Sequence, residues 1–462
     1  MYASRLTVLL GLLAGCPDRT ISQVTPTQGK VEIKDIPAIP RRDLDILFLV
    51  DDSQSMEDEQ ASLRANFSRL VGVLESLEVG LPDVQIGVIT PNLGTSATDG
   101  SVATAVGTCS GQGEGGTLRA QFPGGPRFLR DVDDHAGGRA RNYTGTLAEA
   151  FSSLATVGTN GCGIEQHLEA IKRALDGSNP QNAGFLRRDA YLAIVVIADE
   201  DDCSLAKSTL FAGDPFDATY GDRVNFRCTA QGVACDTPAT PFEDATGIRT
   251  DCHPRFDEGS ELTSIDRYVQ ALKGLKADAR DVIVAGIVGE PEPFDIGKKG
   301  PTTVLKSSCP DGTGAVAFPA VRTADFLSQF QEGSTRSSIC EADLSGALTQ
   351  IGALIKDHLA DPCFDNPLLD ADPVAPGPQY DCSVIEVRRT AGAPDQQLRV
   401  FDACGAGSFP CWRIEEDAAH CAYTRTDPHL ALVIDRNGEP IGADTHIKAS
   451  CVTAGESSGP PT

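Results

Sequence analysis

Asp45-Ile46-Leu47-Phe48-Leu49-Val50-Asp51-Asp52-Ser53-Gln54-Ser55-Met56 is the stretch on which the fold of this chain turns. Its first half is a short apolar run of the kind that forms a strand buried on both faces of a parallel sheet. The strand hands Asp51, Ser53 and Ser55 to the loop at its carboxyl end, where open α/β sheets bind ligands. One carboxylate and two hydroxyls are hard oxygen donors, suited to a small hard cation such as Mg²⁺. The same residue types also cap the free N–H groups of a helix start. A helix does follow, with Leu63, Phe67, Leu70, Leu74 and Leu77 on one face. Strand, acidic serine loop and amphipathic helix in this order favour the metal site over capping alone.

The segment resembles the opening of a von Willebrand factor A domain, whose Asp-x-Ser-x-Ser loop begins a metal-ion-dependent adhesion site. That resemblance implies two further ligands. One is a threonine in a loop before a later helix. Gly158-Thr159-Asn160-Gly161 precedes a helix marked by Ile164, Leu168, Ile171 and Leu175, so Thr159 takes the place, with Thr156 as a rival farther from the helix. The other is an aspartate ending a later buried strand. Ala193-Ile194-Val195-Val196-Ile197-Ala198-Asp199 supplies it, although the usual Thr-Asp-Gly ending is replaced by Ala198-Asp199-Glu200-Asp201-Asp202-Cys203. The extra acids are expected to form a solvated loop, with a second cation as the alternative. The resemblance thus implies a metal site of Asp51, Ser53, Ser55, Thr159 and Asp199. It would hold a divalent cation, Mg²⁺ first and Mn²⁺ or Ca²⁺ as alternatives. One coordination position would be left for a carboxylate of an extracytoplasmic protein partner.

Leu6 to Leu13 is an apolar run too short to span a bilayer. Leu13-Ala14-Gly15-Cys16 after it is similar to the lipobox of bacterial lipoproteins. That resemblance implies a signal peptide over 1–15, lipid on Cys16, and a place in the bacterial cell envelope on its extracytoplasmic side. The alternative is an ordinary cleaved signal peptide. Several acyl chains on one residue anchor firmly, since each buried CH₂ adds about 0.8 kcal/mol.

The chain has 15 Cys, an odd number, and assigning Cys16 to lipid leaves an even set able to pair entirely as disulfides. That density is expected outside the cytosol. No Cys-x-x-Cys and no His-Glu-x-x-His spacing argues for zinc. Sequence leaves the connectivity open; Cys228 with Cys235, Cys404 with Cys411 and Cys309 with Cys340 are plausible local pairs. The formal net charge is −26, or −27 once Arg5 leaves with residues 1–15. So acidic a surface repels nucleic acid and anionic headgroups. No glycine motif that cradles phosphates is present, so neither nucleic acid nor nucleotide is expected as a partner.

The fold class expected is α/β: a doubly wound, mostly parallel sheet over residues 43–360, followed by a small disulfide-rich β module over 361–453. Residues 16–42, rich in Pro, read as lipidated Cys and tether, with Val31-Glu32-Ile33 a short edge strand at most. Two Cys-bearing insertions, about 94–138 and 203–258, interrupt the alternation. Ala315-Val316-Ala317-Phe318 is a weak strand candidate, and Asp435-Arg436-Asn437-Gly438-Glu439 carries a hairpin signal. Trp412, beside Cys411, reads as a core plug. Residues 454–462 read as a disordered tail.

The function expected is binding of a protein through the metal. The alternatives are a structural envelope protein whose metal only stabilises it, and a metal-dependent hydrolase. No Gly-x-Ser-x-Gly elbow or Cys/His nucleophile signature supports catalysis, so the chain is not expected to be an enzyme.

Overall fold

The computed structural model describes residues 30–454 except 39–40, 78–79, 212–215, 218–220, 223–225, 243–245, 256–259, 301, 311–314, 360–361, 375, 406–408, 419–420, 422–423, 425 and 443. The signal peptide expected over 1–15, Cys16, the expected tether up to 29 and the expected tail from 455 lie outside the described residues.

The chain opens with strand β1 (Val31–Pro37). It continues with β2 (Asp43–Val50), helix α1 (Glu57–Glu75), β3 (Asp83–Ile89), β4 (Phe128–Asp133), β5 (Arg139–Arg141), α2 (Leu147–Leu154) and α3 (His167–Leu175). Next come β6 (Tyr191–Ala198), α4 (Ile265–Lys273), β7 (Val282–Val288), α5 (Val321–Ser328), β8 (Ser334–Ser338) and α6 (Ser345–His358). Seven of these strands make one sheet in the order β8-β7-β6-β2-β3-β4-β5. Its first five are parallel, and β4 and β5 are antiparallel additions. The mostly parallel α/β sheet expected from sequence is therefore present.

Side chains of β2 alternate between two cores. Leu44, Ile46, Phe48 and Val50 join Phe67 and Leu70 of α1, Phe151 of α2 and Ile351 of α6. Leu47 and Leu49 join Ile171 of α3, Tyr268 of α4 and Phe326 of α5. Helices cover both faces, and the strand order reverses between β2 and β6, which are neighbours in space but far apart in sequence. In such sheets the crevice beyond the carboxyl ends at that reversal is the binding position. Asp51 and Asp199 end these two strands.

Several expectations need correction. The insertion placed at 94–138 ends earlier, because β4 hydrogen-bonds to β3 from within it. Only pairing with a strand already in the sheet distinguishes so short a segment. Residues 315–320 are irregular, not a strand. The second insertion contains helix Phe226–Gly232 and strands Val233–Thr237 and Gly247–Pro254. The latter two extend to Phe294–Lys299 and Thr302–Leu305 in a separate four-stranded antiparallel sheet.

Strands β9 (Cys382–Arg388), β10 (Gln396–Ala403), β11 (Cys411–Glu416), β12 (Leu430–Asp435) and β13 (Thr445–Val452) form the second large sheet, in the order β1-β13-β9-β10-β11-β12. Residues 31–37, assigned to the tether, are thus a full edge strand pairing with β13 from Val31–Val452 to Pro37–His446. Asn437 and Gly438 do turn with positive φ, but no hairpin results. Strand β13 is already flanked by β1 and β9, so β12 pairs with β11 instead. Trp412 lies in this module's core with Phe364, Phe401 and Leu432.

Fourteen cysteines form seven disulfides: 109–162, 203–228, 235–252, 309–340, 363–421, 382–451 and 404–411. The pairs Cys404–Cys411 and Cys309–Cys340 agree with expectation. Cys228 bonds to Cys203 rather than Cys235, because Cys235 stands opposite Cys252 in the pairing of Val233–Thr237 with Gly247–Pro254 and bonds to it. No described helix is long and apolar enough to cross a membrane.

Candidate metal centre

Three loops meet at the carboxyl edge of β2 and β6. Asp51 N donates to Ile197 O at 3.0 Å, so the parallel pairing continues one residue past β2 and brings Asp51 alongside the Asp199 turn. Ser53 N donates to Asp51 Oδ1 at 2.7 Å, and the Ser53 and Ser55 hydroxyls lie 3.1 Å apart. The loop before α3 is bound to this turn by backbone. Gln60, from the first turn of α1, donates to Asp51 O (2.9 Å) and Gly158 O (2.8 Å). Gly161 N donates to Asp52 O at 2.7 Å. A Cβ on Gly161 would stand 2.2 Å from Asp52 Oδ1, so this approach requires glycine. The third loop joins the second where Cys203 N donates to Glu165 O at 2.8 Å.

Of the residues expected at the site, Asp51, Ser53, Ser55 and Asp199 come together. Asp51 and Asp199 are buried, and Ser55 is exposed at the rim. Thr159 is half-buried between Gly158 and Gly161, in the segment that touches the Asp51–Asp52 turn. Thr156 is committed elsewhere, its hydroxyl donating to Ser152 O at 2.8 Å.

Glu165 and His167, which no motif singled out, complete the centre. With Asp51 they bring one ligand atom each to within 4.8 Å of one another. Glu165 is 1 % exposed and His167 0 % exposed. The sequence signal was weak: a Glu and a His two residues apart at a helix start, after the Thr159 loop.

The cluster gathers buried acidic and imidazole groups that no described residue satisfies. Asp51 Oδ2, Asp52 Oδ1, both oxygens of Glu165 and Asp199 and both His167 ring nitrogens have no hydrogen-bond partner among the described residues. Burial, then Asp51, pushes the Asp199 carboxyl up to about 8; Ser55, facing it without a well-formed hydrogen bond, offsets part of this. Burial, then Asp51 and Glu114, pushes Asp52 up to about 7. Glu165 is raised well above the usual range, first by burial and then by Asp51. Buried, unpaired carboxylates are costly unless a cation neutralises them, so these donors fit a divalent ion.

The acids after Asp199 are not a solvated loop. Asp201 accepts from Arg322 N (2.8 Å) and Thr323 N (2.9 Å), capping α5. Asp202 accepts from Leu168 N (3.0 Å), capping α3, and from Arg322 Nη2 (2.9 Å). Helix starts with unsatisfied N–H groups draw these carboxylates inward.

Both insertions are pinned at the metal loops. Cys109–Cys162 fastens the first beside Glu165, and Cys203–Cys228 fastens the second beside Asp199. The two disulfides share a small core with Ala97, Ile164, Leu205 and Phe211.

No protein-family model matches the chain, and no curated protein matches it in sequence. Among solved structures, it is similar to proximal thread matrix protein 1 from the mussel byssus at 14% identity and TM-score 0.31, covering 71% of this chain and 50% of that one. A second structure of that mussel protein, with a zinc-occupied MIDAS motif, gives 12% identity, TM-score 0.29, and 71% and 52% coverage. The pilus adhesin of Streptococcus pneumoniae gives 11% identity, TM-score 0.28, and 93% and 60% coverage. The chain spans half to three-fifths of the length of these structures. Likenesses this slight assign nothing to this chain.

Proposed function

We propose that this chain is a von Willebrand A-type binding protein. Asp51, Ser53, Ser55, Thr159 and Asp199 would hold a divalent cation that a partner protein's carboxylate completes. The observation that carries this reading is the meeting of three separate loops, all at the strand-order reversal, around buried carboxylates that lack partners. When bound, the ion supplies positive charge and an open coordination position. The chain's own part is to fix the oxygens: Gln60 locks two loops together, and Ser55 and Thr159 form the accessible side. The pinned insertions would shape the surface that a partner meets.

Seven disulfides fit an oxidising compartment. Lipid on Cys16, and with it the bacterial envelope, remains part of the proposal. Cys16→Ser should abolish lipid labelling and release the protein from the membrane fraction.

One observation favours a second reading, in which the metal only stabilises the fold: Asp199, Glu165 and His167 are almost wholly buried. Capture of envelope proteins with and without chelator separates the two. Binding predicts that EDTA and Asp199→Ala each abolish Mg²⁺- or Mn²⁺-dependent capture. Capture indifferent to EDTA, with metal binding intact, would leave the stabilising reading.

A further inference from the structure

We infer that Glu165 and His167, together with Asp51, make this centre a mixed nitrogen–oxygen site that selects a borderline transition-metal dication, Zn²⁺ above all, over Mg²⁺. The inference rests on the metal-site reading above and deepens it. The expected donor set was oxygen alone, and such a set suits Mg²⁺, Ca²⁺ and Mn²⁺; imidazole nitrogen shifts preference toward Zn²⁺ and its neighbours.

The placement is specific. Glu165 lies just before α3 and His167 begins it, so the two side chains are delivered on one rigid turn. Asp202 and Ser204 cap that turn through Leu168 N (3.0 Å) and Glu169 N (2.9 Å). The Glu165 backbone is held to the Asp199 loop through Cys203 N, and Cys162 is bonded to Cys109. His167 Nε2 stands 3.6 Å from Glu165 Oε2, beyond hydrogen-bond distance, and neither ring nitrogen has another partner among the described residues. A fully buried histidine normally donates or accepts at least one hydrogen bond. Here one ligand atom each of His167, Glu165 and Asp51 lies within 4.8 Å of the others, and neither ring nitrogen, neither Glu165 oxygen nor Asp51 Oδ2 is hydrogen-bonded by a described residue. A cation among them satisfies all three. Asp51 is common to this group and to the Ser53, Ser55 and Asp199 oxygens, so the nitrogen donor bears on the same centre and not on a remote one.

The test is calorimetric titration of the full disulfide-bonded protein with ZnCl₂ and, separately, MgCl₂, using the unmutated chain, His167→Gln and Ser55→Ala. The expected result is tighter binding of Zn²⁺ than of Mg²⁺ by the unmutated chain. His167→Gln should lose about tenfold or more in Zn²⁺ affinity while Mg²⁺ affinity changes little. Ser55→Ala should weaken Mg²⁺ binding. Should His167→Gln fail to fold, electron spin-echo spectroscopy of the Mn²⁺-loaded unmutated protein reads the donors directly: nitrogen modulation from a bound imidazole supports the inference. An all-oxygen spectrum, or equal Zn²⁺ affinity with and without His167, overturns it while leaving Mg²⁺-dependent capture standing. Absence of binding by either metal overturns this inference and the metal-site reading together.

Discussion

Asp199 and Asp202 sit three residues apart and do opposite work. Asp202 is satisfied by Arg322, Leu168 N and the Ser204 hydroxyl, all buried. Asp202→Ala strands the Arg322 guanidinium and should cost about 3–5 kcal/mol, read by urea denaturation. Asp199→Asn in EDTA at pH 7 replaces a carboxyl already largely protonated with a neutral side chain of the same shape and should cost little; an equal loss in both variants would contradict these assignments. The pH dependence follows from the same contrast. Asp199 near 8 and Asp52 near 7 stand above the value of about 4 that such groups have in an unfolded chain. A raised folded pKa gives stability that is present below the unfolded value and lost as pH rises through the folded one. In EDTA, therefore, the melting temperature should fall between about pH 4 and 8, and fall less in Asp199→Asn. A saturating divalent ion should flatten the decline; a rise with pH in EDTA, absent from Asp199→Asn, would be the wrong sign. Asp51 and Asp199 were legible because each ends an apolar run. The caps made by Asp201 and Asp202 were not, because Arg322 lies about 120 residues away in sequence and no local pattern records that meeting.

At the scale of elements, β2, β6, α1 and α6 could be read from periodicity alone, since burial on two faces or on one stripe imprints itself on the residues. Strand β4 could not, because its identity depends on hydrogen bonds to β3. The insertions were legible as interruptions near the site's edge, but their disulfide ties to its loops were not, because disulfide pairing is set by the fold. Cys109–Cys162 closes a 53-residue span and ties the first insertion to the loop carrying Glu165 and Thr159. By loop-closure entropy, Cys109→Ser with Cys162→Ser should cost about 4 kcal/mol. It should also weaken metal binding, because the second loop loses its brace while the sheet keeps both cores. Replacing Cys404 and Cys411, which close only 7 residues in the other module, should leave metal affinity unchanged. Calorimetry on the two double mutants decides; equal metal affinities would mean that the insertion does not support the site.

Across the whole molecule, the metal centre and the C-terminal module occupy opposite edges of the main sheet. Strand β1 enters before the main sheet begins, yet it pairs with β13 after that sheet is complete, so the larger unit is inserted within the smaller. Thr453 N donates to Lys30 O at 2.9 Å, bringing the two ends of this arrangement together. The seam lies at the amino edge: Lys34 and Arg389 share a cleft with Tyr191, Val282 and His358. Lys34, almost fully buried, meets Asp357 of α6 at 2.7 Å and Asp365 of the module at 3.1 Å. Arg280 meets Asp395 of the module at 2.7 Å. Strand β6 runs from this seam at Tyr191 to the centre at Asp199, about 25 Å at the usual rise per residue. Sites so far apart with no common partner should act independently. Lys34→Ala leaves Asp357 without its lysine and should lower the melting temperature, while metal affinity stays as it was. Combined with Asp199→Asn, the two effects on unfolding free energy should add to within about 0.5 kcal/mol. A larger coupling in the double-mutant cycle would show that the seam and the Asp199 turn are coupled through the length of the sheet.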